Sequence, residues 1–292
     1  MNLPDFRRFF PPRKAASHKG DFGKIFILAG SRNFSGAPYL ASMGALRAGA
    51  GLIALGVPES LYPIMAYKLV ETMVRPFQET KNGALSRGAG REILSFLKTQ
   101  TVLALGPGLG QHPETQGLVR KVVSSWKGPQ VIDADGLNAL SGHDPILKKL
   151  GIRTIVTPHP GEAGRLFQKT VPADEAGRKK FAAHQAKKYK LVIVLKGHHT
   201  VVAAPGRPVY VNETGNPGLA TGGSGDVLTG IIAAFLGRGL EPFDAARCGV
   251  FIHGLAADLA VGKFGETSLA PTDVLDYLPA AFQKALGRTE VA

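Results

Sequence analysis

Cysteine is nearly missing from this 292-residue chain: Cys248 is the only one. An internal disulfide framework and a cysteine-based metal site are therefore excluded. Its surroundings, RCGVFIHGLAAD, read as a packed helix with a buried thiol. Acidic residues are also short, with 22 Asp and Glu against 35 Lys and Arg and a formal net charge of +13. That balance favours anionic partners. Nucleic acid is not the partner expected, because basic residues come in short scattered groups such as Lys148-Lys149 and Lys187-Lys188, without a tract or interleaved aromatics. No apolar run reads as long enough to cross a membrane. The start, MNLPDFRRFFPPRK, lacks the apolar segment of a signal peptide. A cytoplasmic protein with no membrane partner is expected. GxxxxGK[ST] is also absent, which sets aside the P-loop nucleotide enzymes.

What is present is glycine, 37 residues of it, concentrated in GLATGGSGDVLTG at 218–230. Val227, Leu228, Ile231, Ile232, Phe235 and Leu236 follow at helical spacing. The glycines thus crowd the N-terminus of a buried helix, where free N–H groups and the positive dipole end favour an anion. Asp226 in the first turn reads either as a capping carboxylate or as a base beside a bound phosphate.

Elsewhere GKIFILAG, LIALGVP, TVLALG, QVIDADG, RTIVTP and LVIVLKG read as buried strands, separated by helical stretches that include SGAPYLASMGALRAGAG, 88–98 and 174–189. HHTVVAAPG and RPVYVNE predict an antiparallel hairpin. Residues 59–80 follow no clear period. Alternating strands and helices predict an α/β fold, a mainly parallel central sheet flanked by helices on both faces. Without a linker or repeat, one domain over 18–287 is expected behind a basic, Pro-rich leader at 1–17.

In such sheets ligands bind beyond the carboxyl ends of the strands, and each segment there is polar or glycine-rich. GPGLG at 106–110 reads equally as a plain tight turn. In TPHPGE, two prolines fix the backbone around His159, and Glu162 reads as a helix-capping glutamate or as a carboxylate organising metal-bound water near phosphates. Lys196-Gly197 with Thr200 reads as a grip on a nucleotide, or Lys196 simply as a strand end. Asp133 and Asp135 orient hydroxyls or metal, or form a turn. The remaining histidines, His253 included, read as structural or exposed.

The succession HKGDFGKIFILAGS, SGAPYLASMGALRAGAGL, ALGPGLG, VIDADGLN, TPHPGE, LKGHHTVV and GNPGLATGGSGDVLTGIIAAFLGRG resembles the ADP/ATP-dependent NAD(P)H-hydrate dehydratases, a branch of the ribokinase-like superfamily. TPHPGE together with GNPGLATGGSGDVLTG is the specific part. The resemblance implies a ribokinase-like fold and a lyase that repairs the hydrates NADHX and NADPHX with Mg2+ and ADP or ATP. The nucleotide's terminal phosphoryl group would pass to the hydrate's hydroxyl and then leave as phosphate. By the same match Asp226 is the general base, and Gly223 and Gly225 donate N–H groups to the phosphate. Glu162 takes a metal-water role and His159 contacts the hydrate. Lys196, Gly197, His198, His199 and Thr200 hold the nucleotide with Gly225, and Ala41 and Gly108 line the substrate side. A homotetramer is implied, with helix 36–49 available for subunit packing. Because about twenty residues precede the match, the epimerase domain of many relatives is expected to be absent, with action on the S epimer and a separate epimerase as functional partner. Two alternatives are a vitamin-precursor kinase of the same superfamily and a non-catalytic adenine-nucleotide-binding protein.

Overall fold

The computed structural model describes residues 3–287. Its sheet is built from β1 (Lys24–Leu28), β2 (Leu52–Pro58), β3 (Met73–Phe77), β4 (Val102–Leu105), β5 (Gln130–Ile132), β6 (Thr154–Val156), β7 (Val192–Leu195), β8 (Val201–Ala203) and β9 (Tyr210–Val211). The spatial order is β3-β2-β1-β4-β5-β6-β7-β8-β9. Every pair from β3 to β7 is parallel, and the hairpin β8–β9 closes the edge antiparallel. The α/β reading is therefore observed.

The helices are α1 (Leu3–Arg7), α2 (Gly36–Arg47), α3 (Tyr62–Lys68), α4 (Gly90–Leu97), α5 (Pro113–Ser125) and α6 (Ala134–Leu140), then α7 (Asp144–Leu150), α8 (Pro160–Phe167), α9 (Glu175–Tyr189), α10 (Ser224–Gly237), α11 (Pro242–Ser268) and α12 (Pro271–Leu286). Alternation along β1 divides the core. Ile25 and Ile27 join the apolar cluster under α2, α10, α11 and α12, while Phe26 and Leu28 join the one under α4, α5, α8 and α9. Strands covered on both faces carry continuous apolar runs, which is why they were easy to find in the sequence.

Four features differ from the sequence reading. Residues 59–80 supply α3 and the edge strand β3, whose half-exposed pattern hides its period. The C-terminal helix α12 was not expected. The proline-rich leader is not separate from the domain: Phe6 is 0% exposed, stacks on Phe10 with ring centroids 4.3 Å apart, and belongs to the core. Finally, α11 is long and apolar enough to span a membrane by length and composition, contrary to expectation, but 72% of its most apolar stretch is buried inside the protein. It is a core helix.

The chain turns back across the sheet between β1 and β4, so the loops after these strands splay apart and leave a crevice at their carboxyl ends. Ser31 Oγ, after β1, donates to the Gly108 carbonyl, after β4, at 2.8 Å.

Candidate active site

The glycine loop ends where the sequence places it. Gly223 is the residue before α10 and has φ +101°, and a Cβ there would stand 2.5 Å from Leu40 Cδ1. Conformation and packing thus both require this glycine. Gly222 differs: its φ is not positive, and a Cβ there would meet nothing within 4 Å. Neither packing nor backbone explains that glycine, and open space lies above it. Gly225 faces Lys196, whose Nζ would lie 3.2 Å from a Cβ.

Asp226 follows in the first turn of α10. Burial, then the nearby Asp133 carboxylate, push its carboxyl up to about 7; Lys196 acts in the opposite sense. A carboxyl poised near neutrality can accept a proton at physiological pH. Lys196, at the end of β7, places Nζ 2.8 Å from Asp133 Oδ1 and 3.8 Å from Glu162 Oε2. Asp133 Oδ2 accepts from Thr229 Oγ1 at 2.9 Å. Asp135 accepts from the Gly110 N–H at 2.8 Å, tying the loop after β4 to α6. Four carboxylates, Asp133, Asp135, Glu162 and Asp226, therefore act on one another around one ammonium group.

TPHPGE forms a capping box on α8. The His159 N–H donates to Glu162 Oε2 at 2.9 Å, and His159 Nδ1 accepts from Gly161 N–H at 3.1 Å. With Nδ1 accepting, a neutral His159 carries its proton on Nε2. The plain capping reading of Glu162 is thus realised, and its Oε1 stands 3.6 Å from His159 Nε2. Only 7% of Glu162 is exposed.

Beside this cluster opens a cavity of about 620 Å³. His159, Lys196, Gly197, His198, His199, Thr200 and Gly225 line it together, as the sequence reading grouped them. Their loop is held from below by a residue that reading missed. The Arg178 guanidinium, from α9, donates to the carbonyls of Leu195, Lys196 and His198. Gly197 has φ +138°, and a Cβ there would press on Arg178 at 3.0 Å. Nothing in the basic pattern of 174–189 singles out this arginine; only its burial does. The opposite wall comes from Asn212–Thr221 and from Val250, His253 and Gly254 of α11. Asp258 pins that wall by accepting from Gly215 N–H and Asn216 Nδ2. His253, read from sequence as structural, is buried and borders the cavity.

Two further residues lie apart from this cavity. Gly108, with φ +62°, stands against Phe34 and Ala37 at the crevice between β1 and β4. Ala41 is 0% exposed, and its carbonyl packs against Gly230 of α10. The small residues of α2 are likewise spent inside the chain, since a Cβ on Gly44 would stand 2.5 Å from the Val227 carbonyl oxygen. The expected subunit-packing role for that face is replaced by a backbone-close contact with α10. Among the described residues, no group of three or more His, Cys, Asp or Glu side chains is arranged to hold a metal ion.

A parallel sheet with a glycine-headed helix and an aspartate at its mouth defines the ribokinase-like fold. A ribokinase-like protein from Enterococcus faecalis superposes with TM-score 0.81 at 24% identity, covering 98% of this chain and 95% of its own. Within that fold the assignment is narrower. The NAD(P)H-hydrate dehydratase family model matches residues 25–280, and the chain belongs to that family. The ADP/ATP-dependent NAD(P)H-hydrate dehydratase from Bacillus subtilis, co-crystallised with ATP and Mg2+, superposes with TM-score 0.82 at 32% identity over 97% of both chains. The bifunctional NAD(P)H-hydrate repair enzyme of Moorella thermoacetica is 44% identical over 273 residues, 94% of this chain and 52% of that protein. The chain thus spans about half the length of the curated relatives it matches.

Proposed function

We propose that the chain removes water from the S epimers of NADHX and NADPHX, converting ADP to AMP and phosphate, or using ATP. The observation that carries this reading is Asp226, with a proton affinity near neutrality, at the head of an anion-binding helix beside a nucleotide-sized cavity. Lys196, Gly197, His198, His199, Thr200, Gly223 and Gly225 hold the nucleotide. His159, Gly108 and the backbone at Ala41 belong to the substrate side.

Hydroxide leaves poorly and phosphate leaves well, so phosphorylation of the hydrate's hydroxyl prepares its departure. Asp226 takes the hydroxyl proton as the oxygen attacks the terminal phosphorus. The first-turn N–H groups of α10, at Gly223 and Gly225, donate to the oxygens on which charge collects. The ring nitrogen's electron pair then expels phosphate and restores the dihydronicotinamide.

Magnesium ion fits the donor set. It takes one or two carboxylates together with waters and phosphate oxygens rather than a full protein cage, and four carboxylates around one ammonium leave negative charge for a divalent cation to offset. Glu162 would hold it through water. When bound, the ion supplies charge neutralisation of the phosphates.

The proposal includes a cytoplasmic location, a separate epimerase and a homotetramer. The large apolar side chains exposed between Tyr62 and Met73, beside the β3 edge, support self-association; light scattering tests it. The function itself is tested with purified protein, Mg2+ and chemically hydrated NADH, adding ADP or ATP separately. Return of reduced-nicotinamide absorbance with matching phosphate is expected from the S epimer alone. A stable phosphoester of a vitamin precursor, with no absorbance recovered, would replace this reading by the kinase alternative.

A further inference from the structure

Asp133 has no assigned task, and its geometry removes both tasks considered from sequence. It is 1% exposed, with one carboxylate oxygen on Lys196 Nζ at 2.8 Å and the other accepting from Thr229 Oγ1 at 2.9 Å. No oxygen is left to orient a substrate hydroxyl. Its backbone is extended, with φ −133° and ψ 167°, and its N–H continues the sheet to the Leu105 carbonyl at 3.1 Å. It is a strand-end residue, and the turn begins after it.

Thr229 stands three residues after Asp226 on α10, hence on the same side of that helix. Asp133 is therefore clamped by the helix that carries the proposed base, and it in turn clamps a lysine arriving from β7. Lys196 is long and flexible, and its ammonium has other carboxylates to choose from: Glu162 of α8 lies 3.8 Å away, and Asp135 of α6 and Asp226 share the same field. A buried ion pair is by itself weak evidence for stability. Here it fixes the place of a cation that would otherwise settle on the base.

We infer that Asp133 is a positioning residue: its buried carboxylate holds the Lys196 ammonium over Gly225, at the phosphate loop and away from Asp226, so that the cation meets the nucleotide while the base stays available to the acceptor hydroxyl. The inference rests on the proposed reading of Asp226 and Lys196. Removing the charge of Asp133 both frees the ammonium toward Asp226 and deletes a like charge beside it; the two changes lower the proton affinity of Asp226 together.

The test compares wild type, Asp133→Asn, Lys196→Met and the double variant, each checked for folding by its melting curve and for ADP binding. Asp133→Asn should lower kcat on the order of 10²-fold, the scale of a misplaced reacting group, with a smaller rise in KM for ADP. The acidic limb of its kcat/KM profile should move to lower pH. In the double variant the Asp133 substitution should add almost nothing to the loss from Lys196→Met, as expected for residues acting as a unit. Independent losses that multiply, or a lowered melting temperature with kcat and the acidic limb unmoved, would overturn the inference. Should Asp133→Asn fail to fold, Thr229→Val loosens the same carboxylate, and an unmoved acidic limb there would be equally decisive. One readout needs no turnover: acylation of Lys196 by an amine-directed reagent, mapped by mass spectrometry, should run several-fold faster in Asp133→Asn. A wild type without dehydratase activity would sink the functional reading, while unchanged Lys196 reactivity would sink this one.

Discussion

No side chain fits between Gly230 of α10 and Ala41 of α2. A Cβ on Gly230 would overlap the Ala41 carbonyl oxygen and stand 2.7 Å from the Ala45 nitrogen. Backbone thus rests on backbone, and the helix carrying Asp226 is seated against α2 without adjustable side chains between them. Gly230→Ala should cost about 2–3 kcal/mol, the scale of overpacking in a closed core, and should lower turnover because Asp226 lies one turn away. Urea unfolding at pH 7 measures the first effect. An unchanged midpoint would mean that the two helices part easily.

Gly222 and Gly223 separate a packing glycine from a ligand glycine. Gly223 needs its left-handed backbone, whereas a methyl group on Gly222 meets only open space. Gly222→Ala should therefore melt like wild type and yet bind ADP more weakly, since the added methyl occupies the space above the loop. Gly223→Ala should melt earlier. Calorimetric titration with ADP beside thermal melts distinguishes them, and full ADP affinity in Gly222→Ala would show that the phosphates lie elsewhere.

Asp226→Asn keeps the shape of the first turn and removes the base. A loss of 10²–10⁴-fold in kcat is expected, the range for general acid–base groups, with ADP affinity retained. In wild type the carboxyl held at about 7 predicts that kcat/KM rises as the pH passes through neutrality. A profile flat from pH 5 to pH 8 would argue against Asp226 as the group that titrates.

The same substitution should make the protein more stable. A carboxyl raised to about 7 in the fold, against about 4 unfolded, binds its proton more tightly in the folded state. Its ionisation therefore costs stability progressively as pH rises from about 4 to 7. The cost is on the order of a few kcal/mol above neutrality. Asp226→Asn should melt higher than wild type at pH 8, with the difference shrinking toward pH 4. An active site that stores such strain is a common trade of stability for function.

Much of this was legible in the sequence where burial on both faces writes long apolar strands, and where glycine has no substitute. GLATGGSGD and KGHHT fall in one region because every segment after a parallel strand emerges at the same end of the sheet. The edge strand β3 escaped because its half-exposed pattern suppresses the period. Arg178 escaped because its role depends on carbonyls some twenty residues further along the chain. Phe6 and Phe10 sat in a segment rich in proline and arginine, and composition there concealed two core anchors. Asp133 was legible as a residue but not as a partner, since its pairing with Lys196 joins positions 63 apart.

His253 gives a titration of opposite sign. Burial pushes its imidazole down to about 4, with the Ser224 backbone pulling the other way and Lys196 adding to the depression. The folded state therefore keeps the ring neutral while the unfolded chain takes up a proton near pH 6.5. Stability from this group is full above pH 6.5 and is lost as pH falls toward 4, about 3 kcal/mol at the limit. Over the same interval Asp226 gains its proton and stabilises the fold, so wild type mixes two opposed effects. The clean comparison is between Asp226→Asn and Asp226→Asn/His253→Gln, with urea midpoints taken from pH 7.5 to 4.5. The single variant should lose stability more steeply with acid, because glutamine has no proton to accept. Parallel slopes would assign the acid lability to another group and leave His253 as a neutral wall of the cavity.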